Sequence, residues 1–225
     1  GARQAGKSTL LRALQQEAEA RGFGTRFYNL ELSADLEELS GDSKTVFRAL
    51  TQNAQVIFID EFHYLPNAFK IFKAVFDSKI KVKIYASGSS SIEIHKHLKE
   101  SLAGRFKKTF IYPFSWDEFQ KVPQSTFSDY CTWGGLPGLL HQTEQEGKVN
   151  LLENIVSTYV MKDVKALIKE ENVRAFNSLL YLLAQCQGSL AVVANLARET
   201  GLSETAVARH LEIMSHTYIC HAVSS

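Results

Sequence analysis

Hydrophobic positions follow two alternating rhythms up to about residue 112 and a single one after it. Over 9–20, Leu10, Leu11, Ala13, Leu14 and Ala18 recur at helical spacing, and Arg21-Gly22 supply a stop. Residues 25–31 shorten the period to that of a strand, and a polar connection leads to a helix near 44–50. Val56-Ile57-Phe58-Ile59 is apolar without alternation, which predicts a strand buried on both faces, as a parallel sheet requires. Pro66 opens a helix to Phe76, and 80–86 alternates into a strand that ends at Ser87-Gly88-Ser89-Ser90-Ser91. A helix over 92–102 and a last strand over 106–112, closed by Pro113, complete the pattern. Strands alternating with helices predict an α/β parallel sheet with ligands at the carboxyl ends of its strands.

From Ser115 onward the pattern is helical only, with a short turn over 115–120 and helices over 125–133, 147–170 and 173–187. Gly134-Gly135-Leu136-Pro137-Gly138 breaks the chain sharply. Over 190–215, Ala197 stands four residues before Gly201 and Val207 six after it, the spacing of a helix-turn-helix. Ala197 lets the helices approach, Gly201 takes a positive φ, Ser203 caps the second helix, and Val207 with Leu211 fills the space between them. Residues 217–223 alternate as the first strand of a wing. The second helix carries Glu204, Arg209, His210 and Glu212, a weak charge pattern for reading DNA.

Chemistry enters at the first residue. Gly1-Ala2-Arg3-Gln4-Ala5-Gly6-Lys7-Ser8 is a complete G-x-x-x-x-G-K-[ST] phosphate loop. Backbone from Gly1, Gln4, Ala5, Gly6, Lys7, Ser8 and Thr9 would surround phosphates, Lys7 would reach the β- and γ-phosphates, and Ser8 would hold Mg²⁺. The helix dipole beneath the loop adds to the attraction. The strand expected before Gly1, central to such a sheet, lies outside the sequence, so a piece of a longer reading frame or a trimmed form is expected. Asp60 at the end of the apolar run would hold Mg²⁺ through water, and Glu61 would orient or deprotonate the attacking water. Together these motifs predict MgATP binding and hydrolysis.

The 225 residues, 45% hydrophobic, suffice for two or three units with a sizeable core. No apolar run approaches the roughly 20 residues of a membrane span. Cys131, Cys186 and Cys220 form no C-x-x-C pair, which argues against zinc and a disulfide framework and suits a reducing, cytoplasmic location with the thiols buried. Net charge is +1, yet Lys70 to Lys108 holds ten Lys/Arg against Asp77, Glu93 and Glu100. That stripe could steer nucleic acid or an acidic subunit, or simply be a solvated face. His95, His97, His141, His210 and His216 lack metal-ligand spacing.

The chain resembles a prokaryotic AAA-type ATPase family, related to signal-transducing NTPases, in which an ATPase core precedes a C-terminal domain of unknown function containing a winged helix. The resemblance rests on GARQAGKSTLL at the start, IDEFHYL from Ile59, SGSSS from Ser87, SLAGR from Ser101, YPFSWDEF from Tyr112, WGGLP from Trp133 and YVMKDV from Tyr159. It implies that Ser87 or Ser89 senses the γ-phosphate or lytic water, that Arg105 acts as a finger on nucleotide, and that Pro137 touches the adenine. The family often has Ile-Gln after the Asp-Glu pair; Phe62 and His63 stand there, and no role is carried to them. Tyr159 and Asp163, on one helix face, are expected to pin the helical domain to the core. In the family a nuclease-like region often follows the wing, and no nuclease activity is expected of these residues.

The expected architecture is an ATPase core over 1–120, a helical lid over 121–187 and a truncated winged helix-turn-helix over 188–225. MgATP is expected between core and lid, and hydrolysis to reposition the lid and winged helix. The alternatives are an ATP-loaded switch and a DNA-binding regulator with negligible turnover. A DNA or protein partner through the winged helix and a homo-oligomer are candidates.

Overall fold

The computed structural model describes residues 2, 4–52, 54–88, 102–159 and 173–223. The chain packs as two compact units, Gly1–Pro137 and Gly138–Ser225. In the first, α1 (Lys7–Ala20), β1 (Thr25–Asn29), α2 (Ser33–Glu38), α3 (Ser43–Gln52), β2 (Val56–Asp60), a 3-10 turn (Phe62–Tyr64), α4 (Ala68–Asp77) and β3 (Lys83–Ala86) follow in order. The strands form a parallel sheet in the order β1-β2-β3, with Thr25 opposite Val56 and Val56 opposite Lys83.

β2 is central and buried at every position. Ile57 and Ile59 join Tyr28, Leu39, Val46, Leu50, Ile71 and Val75 from β1, α3, α4 and the end of α2. Val56 and Phe58 turn the other way, onto Leu11 of α1. Helices on both faces explain the unalternating apolar run. Burial of Val56, Ile57, Phe58 and Ile59 stabilises this strand by about 1.5–3 kcal/mol each. On the α1 face, Phe27, Phe58 and Tyr85 stand in register, with ring centroids 6.3 and 5.3 Å apart. The Arg12 guanidinium lies 4.0 Å from the Phe27 centroid.

Several elements differ from the pattern read in the sequence. α2 appears within the polar connection, where Leu36 and the following Leu39 reach the core and side-chain hydrogen bonds tie the helix to β1. Glu38 accepts from Arg26 at 2.6 Å and Tyr28 at 3.0 Å, while Asp35 accepts from the Asn29 N–H at 2.7 Å. α4 starts at Ala68, since Asn67 takes a left-handed conformation at φ 56°. Residues 106–112 are not a strand: Phe106, Phe110 and Tyr112 are exposed on irregular backbone. Alternation encodes a face, but a strand also needs a ladder, and the described residues beyond β3 supply none. The helix expected over 92–102 lies outside the described residues, except Leu102.

Two short helices, α5 (Trp116–Phe119) and α6 (Phe127–Trp133), close the first unit. Ser115 and Glu118 form a reciprocal capping box, whose Ser115 N–H holds the Glu118 carboxyl below its usual range. Trp116, Phe119, Phe127 and Tyr130 then pack edge-on or tilted, with Trp116 and Phe127 centroids 5.1 Å apart.

The second unit holds α7 (Gln145–Tyr159), α8 (Val173–Gln185), α9 (Val193–Thr200) and α10 (Glu204–His216). α9 and α10 form the expected helix-turn-helix. Gly201 has φ 69°, Ser203 Oγ accepts from the Ala206 N–H at 3.2 Å, and Ala197 and Val207 are buried. No wing strand forms over the described part of 217–223. Tyr218, at φ 63°, closes α10 with the Ile219 N–H donating to the Met214 carbonyl, so the start of the expected strand is used as a helix cap. Tyr159 shares a buried 2.9 Å hydrogen bond with Thr217, which ties α7 to the end of α10. Lys162 and Asp163, the other residues of the motif, lie outside the described residues. The thiols also differ from expectation: Cys131 is exposed and Cys186 and Cys220 are half-buried. Among the described residues no helix is long and apolar enough to cross a membrane.

Candidate functional site

α1 leads by a short turn into β1, so it runs back along the sheet and its N-terminus lies at the carboxyl edge of the strands. The residues expected to contact phosphate stand there. Gly6 caps α1 at φ 87°, a conformation that disfavours any other residue, and Gln4 is also left-handed at φ 55°. Ala5 is buried, and Ser8 and Thr9 are exposed in the first turn of the helix. Lys7 Nζ donates to the Ala2 carbonyl at 2.6 Å, folding the side chain back across the loop. Gly1 lies outside the described residues.

The same edge carries Asp60, 5% exposed at the end of β2. The Ser87 hydroxyl donates to Asp60 Oδ1. Ser87 is itself fixed by its backbone, donating N–H to Ile59 at 2.8 Å and accepting from Phe62 at 2.8 Å. Its Oγ also accepts from the Glu61 N–H at 3.5 Å. Thus the end of β3 and the end of β2 are stitched together around the carboxylate. Ser89 lies outside the described residues. Among the described residues Asp60 has no cationic partner.

Glu61 adopts a left-handed backbone at φ 54°, a conformation that costs energy in a residue with a side chain. This bend turns the chain out of the strand into the 3-10 turn. There Glu61 Oε2 lies 3.2 Å from His63 Nδ1. Gly88 faces this turn, and a Cβ there would come within 3.0 Å of the Phe62 ring. His63, to which the sequence assigned no role, thus lies against Glu61. The signal available was its position two residues after the glutamate.

Pro137 is brought to the phosphate loop by a rigid support. The Phe114 N–H donates to the Gly135 carbonyl at 2.7 Å, and the Tyr130 hydroxyl donates to the Phe114 carbonyl at 3.2 Å. A Cβ at Gly135 would meet the Phe114 oxygen at 2.1 Å, so only glycine permits this approach. Two residues on, Pro137 Cγ lies 3.8 Å from where a Gly6 Cβ would be.

Arg105 is not brought to this edge. Its Nε donates to Asp77 at 3.0 Å, and Asp77 ends α4, the helix that returns from the carboxyl end of β2 to the start of β3. The pair therefore sits toward the opposite, amino edge of the sheet. Among the described residues no cluster of His, Cys, Asp and Glu could hold a metal ion by itself.

Residues 1–120 match the family described as AAA domain, and residues 124–225 match a domain of unknown function, DUF8612. An uncharacterized protein of Methanocaldococcus jannaschii is 25% identical over 75% of this chain and 42% of its own length. One of Mycobacterium tuberculosis is 24% identical over 97% of this chain and 47% of its own. The chain thus spans about half the length of these curated relatives. Among solved structures, AMPPCP-bound DnaA from Aquifex aeolicus is 14% identical with a TM-score of 0.42, covering 98% of this chain and 81% of that one. A DNA replication initiation factor is 16% identical with a TM-score of 0.39, covering 97% and 81%. Because the AAA-domain match takes in more than half of the chain and the domain of unknown function nearly all the rest, this protein belongs to the prokaryotic AAA-type ATPase family that carries this C-terminal domain.

Proposed function

We propose that the protein binds MgATP at the carboxyl edge of the sheet and hydrolyses it. The observation that carries this reading is the buried Asp60, held by Ser87 and followed by a left-handed Glu61, beside the helix N-terminus that bears the phosphate loop. Backbone N–H groups from Gly1 to Thr9 and the Lys7 ammonium would take the phosphates. Ser8 and Asp60 would hold Mg²⁺, which supplies charge neutralisation for the phosphate oxygens. Glu61 would accept a proton from water as the water oxygen bonds to the γ-phosphorus. The bond from that phosphorus to the β,γ-bridging oxygen breaks, and ADP leaves with the electron pair.

Ser87, whose hydroxyl bonds Asp60, would couple this edge to the γ-phosphate. Pro137, beside Gly6, would meet the nucleotide from the Gly134–Pro137 loop. Arg105, bound to Asp77 at the far edge, could act as a finger only on another copy. We further assign 1–120 to the ATPase core, 121–187 to a lid and 188–225 to a helix-turn-helix that the cycle repositions. A proteolysis pattern that is the same with a non-hydrolysable ATP analogue and with ADP would exclude such repositioning.

The direct test of binding uses the full-length protein and its Lys7→Ala variant with fluorescent ATP, in Mg²⁺ and in EDTA. The wild type should bind, more tightly with Mg²⁺, and the variant should lose most of its affinity. Equal binding by both would remove the phosphate loop from the account.

A further inference from the structure

We infer that Asn29 is a nucleotide-binding residue, donating from its amide nitrogen to an oxygen of the terminal phosphate and so favouring ATP over ADP. The inference rests on the MgATP reading above and adds to it a side chain that reading does not use.

Strand register brings Asn29 to the site. It stands opposite Asp60 in the last pair of β1 and β2, and the Leu30 N–H donates to the Asp60 carbonyl at 3.2 Å, so the two strands stay paired to their ends. Side chains alternate between the faces of a strand, and Phe27 stacks on Phe58 on the α1 face. Asn29 and Asp60, each two residues further along, therefore lie on that face too. The Ser87 hydroxyl reaches Asp60 from the other side. The strand ends thus carry a polar row, Asn29, Asp60 and Ser87, just beyond the aromatic row of Phe27, Phe58 and Tyr85.

α1 crosses β1 in the opposite sense and brings the phosphate loop to this row. Gln15 Nε2 donates to Thr25 Oγ1 at 3.3 Å, and the Arg12 guanidinium lies over the Phe27 ring. Ser8 continues the same helix face. Four residues of helix advance about 6 Å and two residues of strand about 6.6 Å, so Ser8 comes over Asn29 as Arg12 comes over Phe27.

Asn29 is held at three points with its donors left over. Its N–H donates to Asp35 Oδ2 at 2.7 Å, its carbonyl accepts from the Leu32 N–H at 2.9 Å, and its Oδ1 accepts from the Glu31 N–H at 3.2 Å. An amide whose oxygen meets an N–H turns its NH₂ the other way. Among the described residues Asn29 Nδ2 donates to nothing. A fixed, neutral donor beside the Asp60 carboxylate suits a phosphate oxygen, which only accepts, and adds no charge to compete with a metal ion.

The test measures binding of fluorescent ATP and ADP, each with Mg²⁺, to the full-length wild type, Asn29→Ala and Asn29→Asp. Ala removes donor and acceptor together, whereas Asp keeps the oxygen that accepts from the Glu31 N–H and loses only the donors. We expect Asn29→Ala to weaken ATP about tenfold or more, as loss of a hydrogen bond to a charged group does, with ADP within about threefold of wild type. Asn29→Asp should weaken ATP at least as much while its urea midpoint matches the wild type. A residue that only shapes the turn gives the reverse pattern, with Asp like the wild type and Ala weakening both nucleotides alike. That pattern, or ATP affinity unchanged in both variants, would overturn the inference. A wild type that binds no ATP refutes the MgATP reading and this inference together, whereas a wild type that binds ATP with both variants indifferent refutes this inference alone.

Discussion

Replacing Gly135 by Ala adds one methyl group at the point where the Gly134–Pro137 loop is fastened to the first unit. The new Cβ would stand 2.1 Å from the Phe114 oxygen and 3.0 Å from its carbonyl carbon, and both are backbone atoms that cannot rotate away. A carbon and an oxygen in contact need more than 3 Å, so the loop must retreat by roughly 1 Å. That retreat breaks the 2.7 Å bond from the Phe114 N–H to the Gly135 carbonyl and disturbs the Tyr130 hydroxyl bonded to the same residue. Overpacking at about 1–3 kcal/mol and a lost hydrogen bond at about 0.5–1.5 kcal/mol give a destabilisation of roughly 2–4 kcal/mol. Gly134→Ala is the matched control. It has open space around its Cβ but must hold φ 81° with ψ −175°, a region that favours glycine, at about 1–3 kcal/mol. Urea unfolding of the full-length protein and both variants, followed by tryptophan fluorescence, should give a midpoint lowered by about 1 M or more for Gly135→Ala and by less for Gly134→Ala. ATP affinity should fall in the same order, because Pro137 moves away from Gly6. Equal midpoints for Gly135→Ala and wild type would refute the pinned loop and the route by which Pro137 reaches the phosphate loop.

Ser87→Ala removes the hydroxyl that bonds Asp60 but keeps the backbone bonds to Ile59 and Phe62. Phosphate release should fall about tenfold or more with circular dichroism unchanged, and an unchanged rate would separate Ser87 from the chemistry. The acid behaviour of the second unit should depend on His210. This residue is 4% exposed, its Nδ1 has no hydrogen-bond partner among the described residues, and it sits edge-on to Phe176 with centroids 5.3 Å apart. Burial, aided by Arg209, pushes its pKa below the ordinary value of 6.5. The folded state therefore holds His210 neutral while the unfolded state takes up a proton, so its stabilising contribution is full above about pH 6.5 and is lost as pH falls through the lowered folded value. Urea midpoints of the wild type at pH 7.5 and 5.5 should differ more than those of His210→Phe; equal differences would contradict the buried neutral imidazole.

How much of this was legible in the sequence depended on whether a feature is local. The Val56–Asp60 strand, the phosphate-loop helix and the turn at Gly201 each announce themselves through periodicity or a glycine, and all stand where expected. Residues 106–112 and 217–223 carry an equally good strand pattern, yet the first lacks a ladder and the second is partly used to cap α10. α2 was hidden because its six residues give the core only Leu36 and the following Leu39, too few to show a period, while Asp35 and Glu38 tie it to β1 by hydrogen bonds. At the site, Asp60 and Glu61 were readable from their place after an apolar run. The Glu61–His63 contact depends on a left-handed bend at a glutamate, and the approach of Pro137 to Gly6 joins residues distant in sequence.

The central claim is tested most directly by phosphate release at saturating MgATP from the full-length protein and its Glu61→Gln variant, with ATP binding measured on both. The account predicts a wild type that turns over and a variant that binds ATP with similar affinity but releases phosphate about 100-fold or more slowly. A variant as fast as the wild type, or a wild type that binds ATP and releases no phosphate, would contradict it.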